Sequence, residues 1–217
     1  PGTYTENIIW PETNGIKLIS AGDSSNTIID GDGVSSVIYM NPQTATIDTT
    51  TLIQGFKIMN GGNVQNGGGI FCNSASVTVE LCAIINNDVE IAGGGCYFAT
   101  SQAAIFRSSS LRNNTASYGG AIYSVGSNLN LLSVDASSNN SSEYGGALYI
   151  TNSNTTILNN SEFFNNTSTK SGGAIWYRNY QNTTNYLSIS NSTFNHNHAT
   201  QSTERGGAIT SSGNGVT

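Results

Sequence analysis

Side chains able to do acid–base, nucleophilic or metal chemistry are scarce in this chain of 217 residues, which has two histidines and three cysteines. Glycoside hydrolysis needs two carboxylates on either side of one bond, and no spacing here predicts such a pair. Arg107 and Arg112 stand in one repeat near Glu80 and Asp135 of adjacent repeats, the nearest approach to a charged cluster. No Ser–His–Asp grouping is visible. We therefore expect no catalytic residues and a protein that is not an enzyme.

Two short motifs could offer metal ligands. Asp30 and Asp32 stand two residues apart and could give oxygen ligands to Ca²⁺, but Asp-Gly pairs are also ordinary turn residues. His196 and His198 would lie on one face of an extended strand. No nearby cysteine or carboxylate completes a zinc set. We expect neither a metal nor another cofactor.

The charge balance excludes two classes of partner. With seven Lys and Arg against thirteen Asp and Glu, the formal net charge is -6. Nucleic acids and anionic membrane surfaces both need clustered cations, so neither is an expected partner. No apolar run reaches the roughly 18 residues of a transmembrane helix, and we expect no membrane insertion. The odd cysteine count excludes a full disulfide framework. Cys72, Cys82 and Cys96 are interpreted as small buried hydrophobes, with one disulfide or a reactive thiol as the alternatives.

A recurring tetrad, Gly-Gly-Ala-Ile or a near copy, organises the chain. Its successive starts are 26, 26, 26, 27 and 34 residues apart, and a fixed period in this range indicates a solenoid. We expect the glycines to permit a positive-φ corner or a close backbone approach to the next coil. The glycine pairs are Gly67-Gly68, Gly93-Gly94, Gly119-Gly120, Gly145-Gly146, Gly172-Gly173 and Gly206-Gly207.

A second motif runs in phase with the tetrads. Each copy has an apolar anchor, apolar residues up to seven positions earlier, and an asparagine three positions later; the anchors are Ile84, Leu111, Ala136, Phe163 and Phe194. The matching asparagines should stack at one bend and hydrogen-bond along the axis of the solenoid. They are Asn87, Asn114, Asn139, Asn166 and Asn197.

These patterns predict an all-β, right-handed parallel β-helix of about 26 residues per coil. Each repeat is interpreted as a strand on the tetrad, a short turn, a second alternating strand and an Asn-rich bend. A propeller blade needs about 40 residues, and a leucine-rich frame is absent. We assign residues 1–217 to one β-helical segment, irregular over 1–60 and regular over 61–217, which ends within a coil. The longest spacing predicts protruding loops at Asn179–Asn185 and His198–Arg205.

An aromatic residue follows the inward aliphatic residue of five tetrads, and alternation places it on the outer face. Such a column could contact a sugar or a partner protein, or its rings could simply stack on one another and stabilise the sheet. The residues are Phe71, Tyr97, Tyr123, Tyr149 and Trp176. The chain also has many Asn-x-Ser/Thr triplets, a weak sign of a glycosylated surface protein. These begin at Asn113, Asn139, Asn140, Asn154, Asn159, Asn165, Asn166, Asn182 and Asn191.

The tetrads at 119–122, 145–148, 172–175 and 206–209, together with the Phe-x-x-Asn copies at 163–166 and 194–197, resemble the repeats of the polymorphic outer-membrane protein family. That resemblance covers about residues 67–209. It implies a β-helical region that is secreted to the cell surface, is associated with adhesion and has no established catalytic residues. In the N-terminal part, the segments Pro1–Ile8, Ile29–Gly33 and Gly55–Ile58 resemble the opening coils of pectate-lyase-like β-helix proteins, over roughly residues 1–60.

We therefore expect a non-enzymatic extracellular or cell-surface protein that acts as an adhesin or a structural stalk. Its expected partner is a glycan or a protein on a host or neighbouring cell. One alternative is a carbohydrate-binding or carbohydrate-active β-helix whose site lies on the aromatic face. Another is a fibre subunit that associates end to end, because the ends of a solenoid expose unpaired strand edges.

Overall fold

The chain forms a solenoid of short β-strands. The computed structural model describes residues 1–153, 155–180, 186–201 and 206–213, and within them it contains 27 strands and no helix. The strands are β1 (Gly2–Thr5), β2 (Ile8–Ile9), β3 (Lys17–Ile19), β4 (Thr27–Asp30), β5 (Ile38–Met40), β6 (Leu52–Gln54), β7 (Lys57–Met59), β8 (Ile70–Asn73), β9 (Val77–Glu80), β10 (Ala83–Ile85), β11 (Cys96–Ala99), β12 (Ala104–Arg107), β13 (Ser110–Arg112), β14 (Thr115–Tyr118), β15 (Ile122–Val125), β16 (Leu129–Leu132), β17 (Asp135–Ser137), β18 (Asn140–Tyr144), β19 (Leu148–Thr151), β20 (Thr155–Asn159), β21 (Glu162–Phe164), β22 (Thr167–Ser168), β23 (Ile175–Asn179), β24 (Tyr186–Ser190), β25 (Thr193–Asn195), β26 (His198–Ala199) and β27 (Ile209–Gly213).

Four parallel sheets run along the solenoid. Sheet A has the order β1-β4-β7-β10-β13-β17-β21-β25, and sheet B, on the tetrads, has the order β2-β5-β8-β11-β15-β19-β23-β27. Sheet C has the order β24-β20-β16-β12-β9-β6-β3, and sheet D has β14-β18-β22-β26. Each strand pairs with its equivalent in the next coil, giving about seven turns of about 27 residues. The all-β parallel β-helix is thereby confirmed, whereas its right-handed sense stays a prediction.

The predicted second strand of each repeat is two strands separated by a corner. Ala104–Arg107 lies in sheet C and Ser110–Arg112 in sheet A, and between them Ser108 has φ 46°. Short polar residues adopt this left-handed conformation more readily than most. The corner cannot be seen in the sequence pattern, because the apolar residues before and after Ser108 all point into the interior and the alternation continues across it. The equivalent corner residues of the other coils are Leu81, Ser133, Asn160 and Asn191.

The predicted Asn-rich bend contains a further strand in four successive coils, which together form sheet D. In this sheet Thr115 pairs with Asn140, and Asn140 pairs with Thr167. These strands consist mostly of Ser, Thr and Asn, so no hydrophobic alternation marks them in the sequence. Backbone hydrogen bonds from coil to coil, such as that of the Asn140 N–H with the Asn114 carbonyl at 2.9 Å, hold them together.

The interior is filled by columns of identical coil positions. In sheet B the residues in register are Ile38, Ile70, Cys96, Ile122, Leu148, Ile175 and Ile209. In sheet A, Ile58, Ile84, Leu111, Ala136 and Phe163 are likewise in register and fully buried. The anchors that the sequence indicated thus line one interior column, and Ile58 extends it into the N-terminal region. Phe163 and Phe194 stack with ring centroids 4.8 Å apart.

Residues 1–60 belong to the same sheets as the regular coils, but with longer turns. Ile8 pairs with Ile38, and Ile38 with Ile70, in sheet B. Those partners are separated by 30 and 32 residues, so the N-terminal coils keep the register and place their extra residues between strands. The unequal coil lengths explain why no fixed period was visible there.

Part of the predicted C-terminal loop is a strand. His198–Ala199 pairs with Thr167–Ser168 in sheet D, so a loop over 198–205 is wrong at its start. Asn179 is the last residue of β23 and is buried, which corrects the start of the other predicted loop. The remainders of both predictions, at 181–185 and 202–205, lie outside the described residues.

The Glu12 carboxylate binds the loop at residues 43–45 through hydrogen bonds. It accepts backbone N–H groups from Gln43 at 2.7 Å, Thr44 at 3.1 Å and Ala45 at 3.0 Å, and also the Thr44 hydroxyl at 3.2 Å. These hydrogen bonds, with that of Gln43 foremost, lower the pKa of Glu12 from 4.5 to about 2. The charged carboxylate therefore ties residues 43–45 to the first coil.

We expect Glu12→Gln to weaken this loop in a pH-dependent way. Because the folded pKa lies below the unfolded one, the contribution of Glu12 is complete above pH 4.5 and is lost as the pH falls toward about 2. Amide hydrogen-exchange protection at residues 43–45 should be lower in the variant near neutral pH and should converge with the wild type in acid. Equal protection at neutral pH would contradict this role.

Candidate binding surface

The two glycines of each tetrad have different tasks. The first adopts a left-handed corner, as Gly119 does with φ 63°, which glycine reaches without steric cost. The second lies where the next coil passes closely: a Cβ on Gly120 would be 2.5 Å from the carbonyl oxygens of both Asn140 and Gly146. Both are backbone atoms and cannot rotate away. The first glycines of all six tetrads have φ between 63° and 74°: Gly67, Gly93, Gly119, Gly145, Gly172 and Gly206.

The five repeat asparagines form one hydrogen-bonded column, the asparagine ladder (Asn87, Asn114, Asn139, Asn166 and Asn197). The Nδ2 of each donates to the Oδ1 of the next, over 2.9 to 3.0 Å. Asn139 also donates from Nδ2 to the Leu111 carbonyl at 2.9 Å, and its Oδ1 accepts the backbone N–H of Asn114 at 3.1 Å. The first four side chains are buried, so each polar atom exchanges water for a protein partner.

The same burial divides the Asn-x-Ser/Thr triplets. Asn139 and Asn166 are committed to the ladder and are buried, so their amides are closed to a modifying enzyme. Asn113, Asn140 and Asn165 are exposed. Triplet counting alone cannot make this distinction, because adjacent asparagines such as Asn139 and Asn140 have opposite surroundings.

The aromatic residues form a stacked column on the outer face of sheet B. It has six members rather than the predicted five, and the additional one is Tyr39. Adjacent ring centroids are 4.4 to 5.4 Å apart, with interplanar angles of 6° to 14°. We call this column the aromatic ladder: Tyr39, Phe71, Tyr97, Tyr123, Tyr149 and Trp176. The signal for Tyr39 was the pair Ile38-Tyr39, which matches Ile122-Tyr123.

Stacking determines what the ladder can offer a ligand. Every inner ring has another ring on both faces, so it presents an edge and, in the tyrosines, a hydroxyl group. Trp176 is only 6% exposed, which corrects the expectation of a fully outward residue there. Burial raises the pKa of Tyr149 to about 12 and that of Tyr123 in the same direction. Their hydroxyls therefore stay protonated and can donate hydrogen bonds.

A second row of rings lies beside the ladder, across the glycine corner. Tyr118 meets Tyr149 edge to face at 5.3 Å, and Tyr144 lies 5.4 Å from Trp176. Lys170 lies over the Tyr144 ring at 5.3 Å and forms an ion pair with Glu143. These tyrosines were not among the predicted site residues, although each directly precedes a glycine pair in the sequence.

Arg178 lies at the C-terminal end of the ladder. Its Cζ is 5.5 Å from the Trp176 ring centroid and 3.6 Å from that of Tyr180. Thr151 and Ser212 are its neighbours in the adjacent strands. Among the described positions of this column it is therefore the charged one, which makes this end of the ladder different from the rest.

The aspartates and histidines that were considered as metal ligands do not come together in a metal site among the described residues. The Asp30 carboxylate accepts hydrogen bonds from the Asn60 amide at 3.0 and 3.1 Å and from the Asp32 backbone at 3.0 Å. His196 has φ 55°, so it does not share one extended strand with His198, contrary to expectation. Within the described ranges no three His, Cys, Asp or Glu side chains converge on a possible metal position.

Two further predictions concern charge and sulfur. Arg112 forms an ion pair with Asp135 on the surface, whereas Arg107 is paired in register with Glu80.

The three cysteines are free and buried, as the favoured interpretation required, so the alternative of one disulfide is wrong. Burial raises the pKa of Cys72 to about 12 and that of Cys82 to about 11, which keeps both thiols protonated. In the part of the chain that the structure describes, no helix is long and apolar enough to cross a membrane.

Part of the chain matches a known family of repeats. The Chlamydia polymorphic membrane protein repeat matches residues 108–125 and 160–177. Each matched stretch begins at the left-handed corner before sheet A, passes the ladder asparagine and the glycine pair, and ends in sheet B. No curated protein and no solved structure matches the chain significantly. The chain therefore carries Chlamydia polymorphic membrane protein repeats, built into a parallel β-solenoid.

Proposed function

We propose that this chain is a non-enzymatic surface protein that uses its solenoid to present a binding face, as an adhesin does. The match to a repeat of polymorphic membrane proteins supports a surface location for this chain. The observation that carries the proposal is the aromatic ladder, which holds six rings in register along sheet B. A glycan or protein on a neighbouring cell would contact this face.

The geometry favours contact through tyrosine hydroxyls rather than ring faces. Tyr97, Tyr123 and Tyr149 are partly exposed, and their faces are covered by the neighbouring rings. A row of protonated phenols about 5 Å apart can donate to successive acceptors of an extended ligand. Alanine substitution would remove the stack as well as the contact and so would confuse binding with stability.

We therefore expect the double variant Tyr123→Phe/Tyr149→Phe to keep its thermal unfolding midpoint and to lose adhesion. Beads coated with the chain would be incubated with cultured cells. Binding should weaken roughly thirtyfold, because two lost hydrogen bonds of about 1 kcal/mol each amount to about 2 kcal/mol. Tyr186→Phe is the matched control, because Tyr186 is 51% exposed on sheet C. Unchanged adhesion in the double variant, or equal loss in the control, would contradict the assignment of this face.

A further inference from the structure

Arg178 combines two properties that no other described residue shares: it is a cation at the ladder, and it lies against two aromatic rings. The Tyr180 ring is the nearer one, at 3.6 Å, a distance at which the planar guanidinium packs face to face on the ring. Packing of this kind uses the face of the guanidinium. Its N–H groups lie in the guanidinium plane, which leaves its donor edge free for a ligand.

Arg178 forms no salt bridge with any carboxylate of the described residues, where the two ion pairs are Arg112–Asp135 and Lys170–Glu143. Acidic side chains are sparse in this half of the chain. Residues 145–217 hold three cations and two carboxylates, whereas residues 1–144 hold four cations and eleven carboxylates. Of those two carboxylates, Glu162 lies in sheet A and Glu204 lies outside the described residues. The local charge therefore favours an anionic ligand in an otherwise acidic protein.

Tyr180 supplies an apolar platform beside that charge. Its side chain is 48% exposed, and its backbone N–H donates to the Asn152 side chain at 3.2 Å, which holds the residue in place. Unlike the rings of the ladder, Tyr180 is not stacked on another described ring; Arg178 covers one face. A second face remains for the C–H side of a sugar ring, a surface that aromatic rings accommodate well.

We propose that Arg178, Tyr180 and the Tyr149 hydroxyl form a binding site for a carboxylated sugar, such as a sialic acid or a uronic acid in a glycan chain. This inference rests on the proposed function and names the ligand class of its binding face. The sugar carboxylate pairs with the guanidinium in a bidentate manner, and its ring packs on Tyr180. Tyr149 is close enough for the Arg178 charge to act on its pKa, and its hydroxyl donates to the sugar.

The test is a direct binding titration with defined oligosaccharides. The probes are 3′-sialyllactose and a hyaluronan tetrasaccharide, with lactose and a carboxyl-reduced hyaluronan tetrasaccharide as their neutral partners. We expect at least one acidic probe to bind at least tenfold more tightly than its neutral partner, and binding to weaken as salt is raised. The two acidic probes distinguish a sialic acid from a uronic acid.

Arg178→Gln should weaken binding of the acidic probe roughly tenfold or more, since a hydrogen bond to a charged group is worth about 1.5–3 kcal/mol. Arg178→Lys should restore only part of it, because an ammonium lacks the planar fork. Arg112→Gln is the matched control: it removes one arginine charge in sheet A, away from the ladder. Unfolding midpoints of all variants establish that each is folded.

Several outcomes would overturn the site. These are equal affinity for acidic and neutral probes, full binding by Arg178→Gln, or equally tight binding of a glutamate-rich peptide, which would identify an acidic protein as the partner. If the chain adheres to cells but binds none of the sugars, the sugar site is wrong and the proposed adhesive function stands. If it binds acidic sugars without adhering to cells, the adhesive function fails alone.

Discussion

Asn139→Ala is expected to lower the free energy of unfolding by about 3–5 kcal/mol. The substitution removes the acceptor of the Asn114 backbone N–H and Nδ2 groups, and the donor to the Leu111 carbonyl. All of these groups lie in buried surroundings, where one unsatisfied polar group costs about 1–3 kcal/mol. The Asn114, Asn139 and Asn166 side chains are at most 1% exposed, so the costs of the lost partners should accumulate. Equilibrium urea unfolding measures the effect.

The adjacent residue provides the control. Asn140 has the same side chain but is exposed in sheet D, so Asn140→Ala should change stability by no more than about 0.5 kcal/mol. Equal destabilisation by the two substitutions would mean that the asparagine ladder contributes nothing beyond ordinary surface residues. The comparison separates burial from residue type, since both positions lie in one coil.

Gly120→Ala is expected to destabilise the chain by about 3 kcal/mol, the upper part of the usual range for overpacking. The added methyl group would lie 2.5 Å from the carbonyl oxygens of Asn140 and Gly146. Relief requires the coils to move apart, because both contacts are backbone atoms held in the neighbouring coil. The measurement is thermal or urea unfolding, followed by circular dichroism.

Gly126→Ala controls for loss of glycine as such. Unlike Gly120, Gly126 has a positive φ, of 59°, but a methyl group there would meet nothing within 4 Å. Thr100 and Asn152 occupy the same corner in adjacent coils with φ 52°, which demonstrates that a side chain is tolerated. We expect a cost of about 1 kcal/mol, from the left-handed conformation alone. A similar cost for Gly120→Ala would refute the close-approach explanation.

Regular periodicity in the sequence was sufficient to predict the fold class and its columns. The spacing of Phe163 from its equivalents predicted the interior column that lies in sheet A, and the spacing of Asn166 predicted the asparagine ladder. Both follow because identical coil positions must stack in a solenoid. The two-strand description of each coil was too simple. At Ser108 the chain turns while both flanking segments keep their apolar residues inward, so the hydrophobic pattern runs through the corner unchanged.

The aromatic ladder was predicted only in outline. Alternation placed Tyr123 and Tyr149 on the outer face, but the sequence carries no information on how their rings meet. That orientation depends on the spacing of about 4.8 Å between strands, which brings ring faces together and turns the ring edges outward. The partnership of Arg178 with Tyr180 follows from the same alternation, and it could have been recognised as a cation two residues from an aromatic residue.

The parallel pairing of every coil with the next has a mechanical consequence. The hydrogen bonds that join coils run along the axis of the solenoid, so tension applied between its two ends loads the bonds of one terminal coil at a time. Release of a 26-residue coil frees about 90 Å of extended chain and shortens the folded body by only about 4.8 Å. Each step dissipates work without disturbing the coils that remain. A solenoid built this way lengthens under load in repeated increments of one coil.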